Sequence, residues 1–267
     1  MSLEIQDLAW GHPQPGGGWR QLFEGFNLTC PTGQFVVVIG SNGSGKSTLL
    51  NLVAGTLRAG AGSVRLEGRE LVRLPEHRRA RSIGRVMQNP LDGTAPGLTI
   101  AENLRLAEGR RRSLFSPQAL VGLHPSRADR RRYGELLETL GLPLADRLDT
   151  PVGQLSGGQR QTISLVMASL GEPRLLLLDE HTAALDPRAE ATVMELTDRL
   201  VARLGTTALM VTHSLEQALR HGDRLLMLQE GRLIGDWSAA ERQQLSPSSL
   251  RELYGNATVQ TDPPSVG

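Results

Sequence analysis

Lys46 and Ser47 close a glycine-spaced run, Gly40-Ser41-Asn42-Gly43-Ser44-Gly45-Lys46-Ser47-Thr48. Glycines at these positions let backbone N–H groups turn inward around phosphate oxygens, and a helix start behind them adds positive potential. Lys46 is then expected to reach the β- and γ-phosphates of a nucleotide, and the Ser47 hydroxyl to bind Mg²⁺. A second chemical pair, Asp179-Glu180, follows the apolar run Leu175-Leu176-Leu177-Leu178. An acid at the carboxyl end of a buried parallel strand lies where an α/β sheet binds its ligand. Asp179 suits Mg²⁺ held through water, and Glu180 suits the base that orients an attacking water. A third element, Leu155-Ser156-Gly157-Gly158-Gln159, puts a serine and two glycines at a helix start and so offers a separate anion-binding surface. Two phosphate-recognition elements in one chain suggest that each nucleotide is held between two copies of the protein.

These residues need a frame to hold them. Strand alternation runs through residues 3–8, and residues 12–18, rich in Pro and Gly, read as a loop. Residues 26–28 and 35–39 are further strands, the second apolar throughout and therefore central in a sheet. A helix is expected over 46–57, stopped by Arg58-Ala59-Gly60, with shorter strands at 63–66 and 83–87. From about 99 to 171 the character turns helical, with Leu136, Leu137, Leu140 and Leu142 on one face. Asp186 and Pro187 read as N-cap and first residue of a helix with Val193, Leu196, Leu200 and Leu204 on one face. Residues 208–211 form a buried strand, and Ser214 and Gln217 have the spacing of a capping box. A closing hairpin is expected over 225–234, turning at Glu230-Gly231.

The chain has 267 residues, 39% hydrophobic and 21% charged, which suits a soluble α/β domain rather than a membrane span or a disordered polymer. A net charge of +1 gives no reason to expect nucleic acid as a partner. Cys30 is the only cysteine, so neither a disulfide framework nor a thiolate metal cluster is expected. The first residues lack the basic and apolar regions of a signal peptide.

With these motifs in this order, the chain resembles the ATPase subunits of ATP-binding cassette (ABC) transporters from about residue 3 to 234. The resemblance implies a P-loop NTPase core with a mostly parallel sheet, an N-terminal antiparallel β subdomain and an inserted helical lobe at about 99–171. One such domain would span 1–255, with a disordered tail at 256–267. It also implies ATP and Mg²⁺ as ligands and an ATP-sandwich homodimer, one copy's phosphate loop facing Ser156, Gly157, Gly158 and Gln159 of the other. The partners it implies are integral membrane permease subunits and, indirectly, a substrate-binding protein, at the cytoplasmic face of a bacterial membrane. Gln88 falls at the Q-loop, touching Mg²⁺ or the attacking water, Asp186 at the D-loop across the dimer, and His213 at the switch histidine on the γ-phosphate. Trp10 suits the aromatic that stacks on adenine, with Trp19 the second choice.

Two departures from the family pattern stand out. His181 follows Glu180 where the family usually has Pro, and its bland reading is a surface loop histidine with no chemical role. Residues 164–170, after LSGGQ, together with Asp179-Glu180-His181-Thr182, resemble a bacterial importer subgroup some of whose systems are associated with aromatic amino acids. A soluble ABC ATPase of repair, translation or iron–sulfur assembly, and the ATPase of a separate-subunit exporter, are the competing readings. The arginines at 110–112 and 127–132 are locally basic; a solvated surface is preferred over contact with anionic lipid.

Overall fold

The computed structural model describes residues 2–109 and 124–259. Its strands are β1 (Leu3–Pro13), β2 (Trp19–Cys30), β3 (Phe35–Gly40), β4 (Ala61–Leu66), β5 (Arg69–Glu70), β6 (Ile83–Val86), β7 (Leu175–Asp179), β8 (Thr207–Val211), β9 (Arg224–Gln229) and β10 (Arg232–Ser238). The longer helices are α1 (Lys46–Ala54), α2 (Ile100–Gly109), α3 (Arg127–Thr139), α4 (Gly157–Ser169), α5 (Pro187–Leu204), α6 (Leu215–Arg220) and α7 (Pro247–Val259). They divide between two compact units, Met1–Glu76 with Thr207–Gly267, and His77–Thr206.

In the first unit, β1 pairs antiparallel with β2 and β4, and β5 extends that sheet at β4. A second set of strands has β3 at its centre, parallel to both β8 and β9, while β10 returns antiparallel along β9. Every residue of β3 and β8 is buried. Parallel strands covered on both faces have to be apolar along their whole length, so Phe35-Val36-Val37-Val38-Ile39 shows no alternation. The expected loop at 12–18 is shorter than its composition suggests, because β1 continues to Pro13 at the edge of the pair. Helix α1 also stops early. Gly55 adopts φ 90° and its N–H returns to Asn51 O, an αL glycine cap that ends the helix before residue 57.

In the second unit, β6 and β7 run parallel, Ile83 beside Leu175 through Val86 beside Leu178. Helix α4 is buried continuously from Gln161 to Ser169, which makes it the centre of this unit's helical packing. It packs on α2, α5 and β6. At α3, only Tyr133 and Leu137 of the helix proper are buried; Leu140 and Leu142 lie past its end and are buried there. The tyrosine hydroxyl donates to Glu108 at 2.8 Å. Helix α5 starts as its sequence says: Asp186 Oδ1 accepts from Arg188 N and Ala189 N, and Pro187 is the first helical residue. Val193, Leu196 and Leu200 are buried on it, and Gly205 at φ 57° closes it.

Three of the four arginines of α3 are tied to acids: Arg130 to Asp149, Arg131 to Glu135 at 2.9 Å and Arg132 to Glu108 at 2.7 Å. This is a solvated ion-pair surface rather than an open basic face. Residues 110–112 lie outside the described residues. The tail expected at 256–267 begins as helix, since α7 continues to Val259, and residues 260–267 lie outside the described residues. No helix among the described residues is long and apolar enough to cross a membrane.

Candidate functional site

In the first unit, β3 delivers the chain at Gly40 to a loop that curls back into α1. The loop is tight. A Cβ at Gly40 would meet Leu228 O at 2.3 Å, and one at Gly45 would meet Phe23 Cζ at 2.9 Å. Gly43 and Gly45 sit at φ 79° and 104°, in the region that side chains with a Cβ rarely adopt. Lys46, 5% exposed, donates through Nζ to Gly40 O at 2.8 Å and Ser41 O at 3.0 Å, so its ammonium lies across the mouth of the curl. The Ser44 Oγ is buried without a hydrogen-bond partner.

Helix α1 starts at Gly45 with no side-chain cap, unlike α3, α4, α5 and α6, whose N-caps are Ser126, Ser156, Asp186 and Ser214. With glycine at the cap, no N-cap side chain competes with an anion for this helix start. Residues 40–42 share a cavity of about 370 Å³ with His213, Leu215, Gln229 and Tyr254. The loop and His213, far apart in sequence, are therefore neighbours.

Tyr254 was not legible as part of this site; it comes from α7, and burial pushes its phenol up to about 12. Trp10 and Trp19 lie on the β1–β2 hairpin. Trp10 is half-buried with its ring 5.8 Å from that of His12, while Trp19 is 65% exposed and donates to Gln21 Oε1.

In the second unit, Asp179 ends β7 and Glu180 turns out of it at φ 43°, a strained conformation for a residue with a side chain. Gln88 Nε2 lies 3.4 Å from Glu180 Oε2, so the structure brings these two predicted residues together. Asp179 Oδ2 lies 3.5 Å from Arg85 Nη2. Arg85 was not legible as part of the site, although an arginine inside a strand whose other three residues are buried needs an acid close by.

Ser156 caps α4 by a reciprocal box: its Oγ accepts from Gln159 N at 3.3 Å, and Gln159 Oε1 accepts from Ser156 N at 3.2 Å. Gly158 is a true close approach, since a Cβ there would lie 2.7 Å from Ala189 Cβ at the start of α5. Gln161, five residues past the serine, donates to Met87 O at 3.2 Å and thereby ties α4 to the residue before Gln88. His181 corrects an expectation. It is no surface histidine but 2% exposed, with Nε2 3.1 Å from Thr197 Oγ1, because the turn after Glu180 folds under α5.

A strand, a glycine curl over a buried lysine, an uncapped helix and an acid pair at a second parallel strand define a P-loop nucleotide-binding protein. The family model described as ABC transporter matches residues 23–183, more than half of the chain. A tyrosine transport ATP-binding protein of Clostridioides difficile is 41% identical over 252 residues, 94% of this chain and 98% of that one. The iron(3+)-hydroxamate import ATP-binding protein FhuC of Bacillus subtilis is 34% identical over 264 residues, covering 98% and 91%. Among solved structures, the dimeric post-hydrolysis ATP-binding cassette MJ0796 bound to ADP and Pi superposes with a TM-score of 0.73 at 26% identity, covering 89% and 98%. The chain belongs to the ABC transporter family, and its chemistry is the binding and hydrolysis of ATP.

Proposed function

We propose that two copies of this chain face each other head to tail, each ATP held between residues 40–48 of one and Ser156, Gly157, Gly158 and Gln159 of the other. Closing and opening of this pair drives import of a solute through separate integral membrane permease subunits at the cytoplasmic face, with a substrate-binding protein delivering it. The solute class is an aromatic amino acid, supported by the 41% identity, over nearly the whole of both chains, to a tyrosine transport protein.

The observation that carries the hydrolytic part is the curl at residues 40–46. Its positive-φ glycines, the buried Lys46 and the uncapped start of α1 all face the same need, a polyphosphate. Lys46 stabilises charge on the β- and γ-phosphates, and His213, beside the same loop, contacts the γ-phosphate. Glu180 orients a water in line with the γ-phosphorus and takes its proton as the bond to the bridging oxygen breaks, leaving ADP and phosphate. Gln88 holds that carboxylate or water through its amide. Asp186 crosses the dimer at the D-loop, and Trp10 stacks on adenine.

The hydroxyl of Ser47, the carboxylate of Asp179 and the amide oxygen of Gln88 are hard oxygen donors of the kind Mg²⁺ selects, and they would hold it. Bound there, the ion would neutralise the phosphate oxygens.

Glu180→Gln tests the mechanism. The variant should retain ATP, elute as a dimer and lose steady-state turnover by roughly a hundredfold or more; turnover at the wild-type level would remove Glu180 from the role of base. For import, the chain should co-purify with a membrane protein, and vesicles carrying the complex should take up labelled tyrosine when ATP is supplied. ATP hydrolysis by that complex without uptake of any aromatic amino acid would sink the substrate class.

A further inference from the structure

We infer that His181 is a positioning residue for hydrolysis: anchored on Thr197 of α5, its imidazole holds the left-handed turn from which Glu180 presents its carboxylate. The inference rests on Glu180 being the base proposed above.

His181 follows Glu180 directly and is 2% exposed, with Nε2 3.1 Å from Thr197 Oγ1. Thr197 is itself fully buried and gives its one hydroxyl proton to Val193 O, at 2.8 Å. Its oxygen is left as an acceptor, so the ring proton sits on Nε2 and points at α5. Tautomer and ring direction are thereby fixed together. A threonine hydroxyl in a helix interior contributes little to the helix itself, and here it receives a side chain from another segment.

Glu180 needs such a hold. At φ 43° it occupies a conformation that a residue with a Cβ keeps only when its surroundings impose it. The turn is tied within itself, Ala183 N to Glu180 O at 3.0 Å and Leu185 N to Thr182 O at 3.1 Å. Its far end is fastened by Asp186, which caps α5. His181 on Thr197, about three helical turns further along, fastens the near end to the same helix. One rigid helix therefore sets both ends of the segment that carries Glu180. The distance from Gln88 Nε2 to Glu180 Oε2, 3.4 Å, is at the long limit of a hydrogen bond, so a small rotation of the turn decides whether it is made. Placement errors of about 1 Å at a reacting group are enough to cost up to a hundredfold in rate.

The test uses the full chain and four variants. Thr197→Val keeps shape and removes the acceptor; kcat should fall by about tenfold or more while KM for ATP stays within about twofold. Thr197→Ser keeps the hydroxyl and should recover most of the loss. His181→Ala should fall as far as Thr197→Val, and the double variant no further, because the two act as one unit. Melting temperatures are recorded for each, so that a lower melting point at unchanged kcat reads as a purely structural contact and overturns the inference. A raised KM at unchanged kcat, or a loss in Thr197→Ser equal to that in Thr197→Val, overturns it as well. Glu180→Gln runs beside them: wild-type turnover there removes the base reading and this inference with it. A hundredfold loss in Glu180→Gln beside wild-type turnover in Thr197→Val removes the inference alone.

Discussion

Alanine and aspartate at Ser156 should separate what this serine does for its own helix from what it does across the dimer. Ser156→Ala deletes the bond from Gln159 N at 3.3 Å and keeps the return bond from Ser156 N at 3.2 Å. Loss of one such cap costs about 1 kcal/mol, which for a domain of this size lowers the melting temperature by about 2–4 °C. Ser156→Asp keeps an acceptor at the cap and sets a negative charge at the positive end of α4, a gain of about 0.3–1 kcal/mol. In the proposed sandwich the same carboxylate would face the partner's nucleotide. One extra charge about 4 Å from a phosphate costs on the order of 4 kcal/mol at an effective dielectric of about 20. The dimer holds two such sites, so each is weakened roughly a thousandfold and the pair by more. Melting is followed by circular dichroism without nucleotide, and dimerisation by sedimentation with ATP in a Glu180→Gln background. The aspartate variant should melt at or above the wild type and stay monomeric with ATP. An aspartate variant that dimerises with ATP like its parent would refute the placement of Ser156 against the partner's phosphate.

Asp186→Ala removes the acceptor shared by Arg188 N and Ala189 N and should cost about 1 kcal/mol, while Asp186→Asn should recover most of it in the same thermal melt. Cys30 is fully buried, and burial pushes its thiol up to about 12, so a thiol reagent at pH 8 should leave the native chain unlabelled and react once it unfolds; fast native labelling would contradict the packing of β2. The Ser126 hydroxyl holds the Asp129 carboxyl below its ordinary value, with help from Arg105 and Arg132. A depressed folded pKa gives stability that is present above the ordinary carboxylate range and is lost as pH falls through the lowered value. Acid titration of stability should therefore show a smaller drop in Ser126→Ala than in the wild type, and equal curves would count against the pairing.

The phosphate loop, the acid pair and the LSGGQ helix were legible because each is contiguous: the residues that do the chemistry are the residues that shape the turn or cap the helix. Strands β3, β7 and β8 were legible for a related reason, since central parallel strands have to be apolar on both faces. What the sequence hid depends on residues far apart. Nothing local to His181 shows that Thr197 waits to accept from it. Arg85 and Asp179 lie far apart along the chain and meet only because β6 and β7 are parallel neighbours. The stop of α1 was misread because two glycines, Gly55 and Gly60, both end helices well, and only backbone geometry shows that the first is used. Ser214 and Gln217 show a finer failure. The serine caps α6 as its spacing predicts, but the Gln217 amide oxygen accepts from Thr212 Oγ1 instead of closing the box.

The uncapped start of α1 has a bearing on the life of the protein before it does any work. The other long helices with assigned N-caps carry a side-chain acceptor there, whereas α1 has glycine at its cap and no cap side chain to compete with a bound anion. A ligand present at a hundred times its dissociation constant adds about 2.7 kcal/mol to the folded state, as much as several helix caps together. ATP would thus act as a folding ligand as well as a fuel. Substitutions that weaken the core anywhere in the chain should be tolerated in a cell rich in nucleotide and exposed when it is depleted.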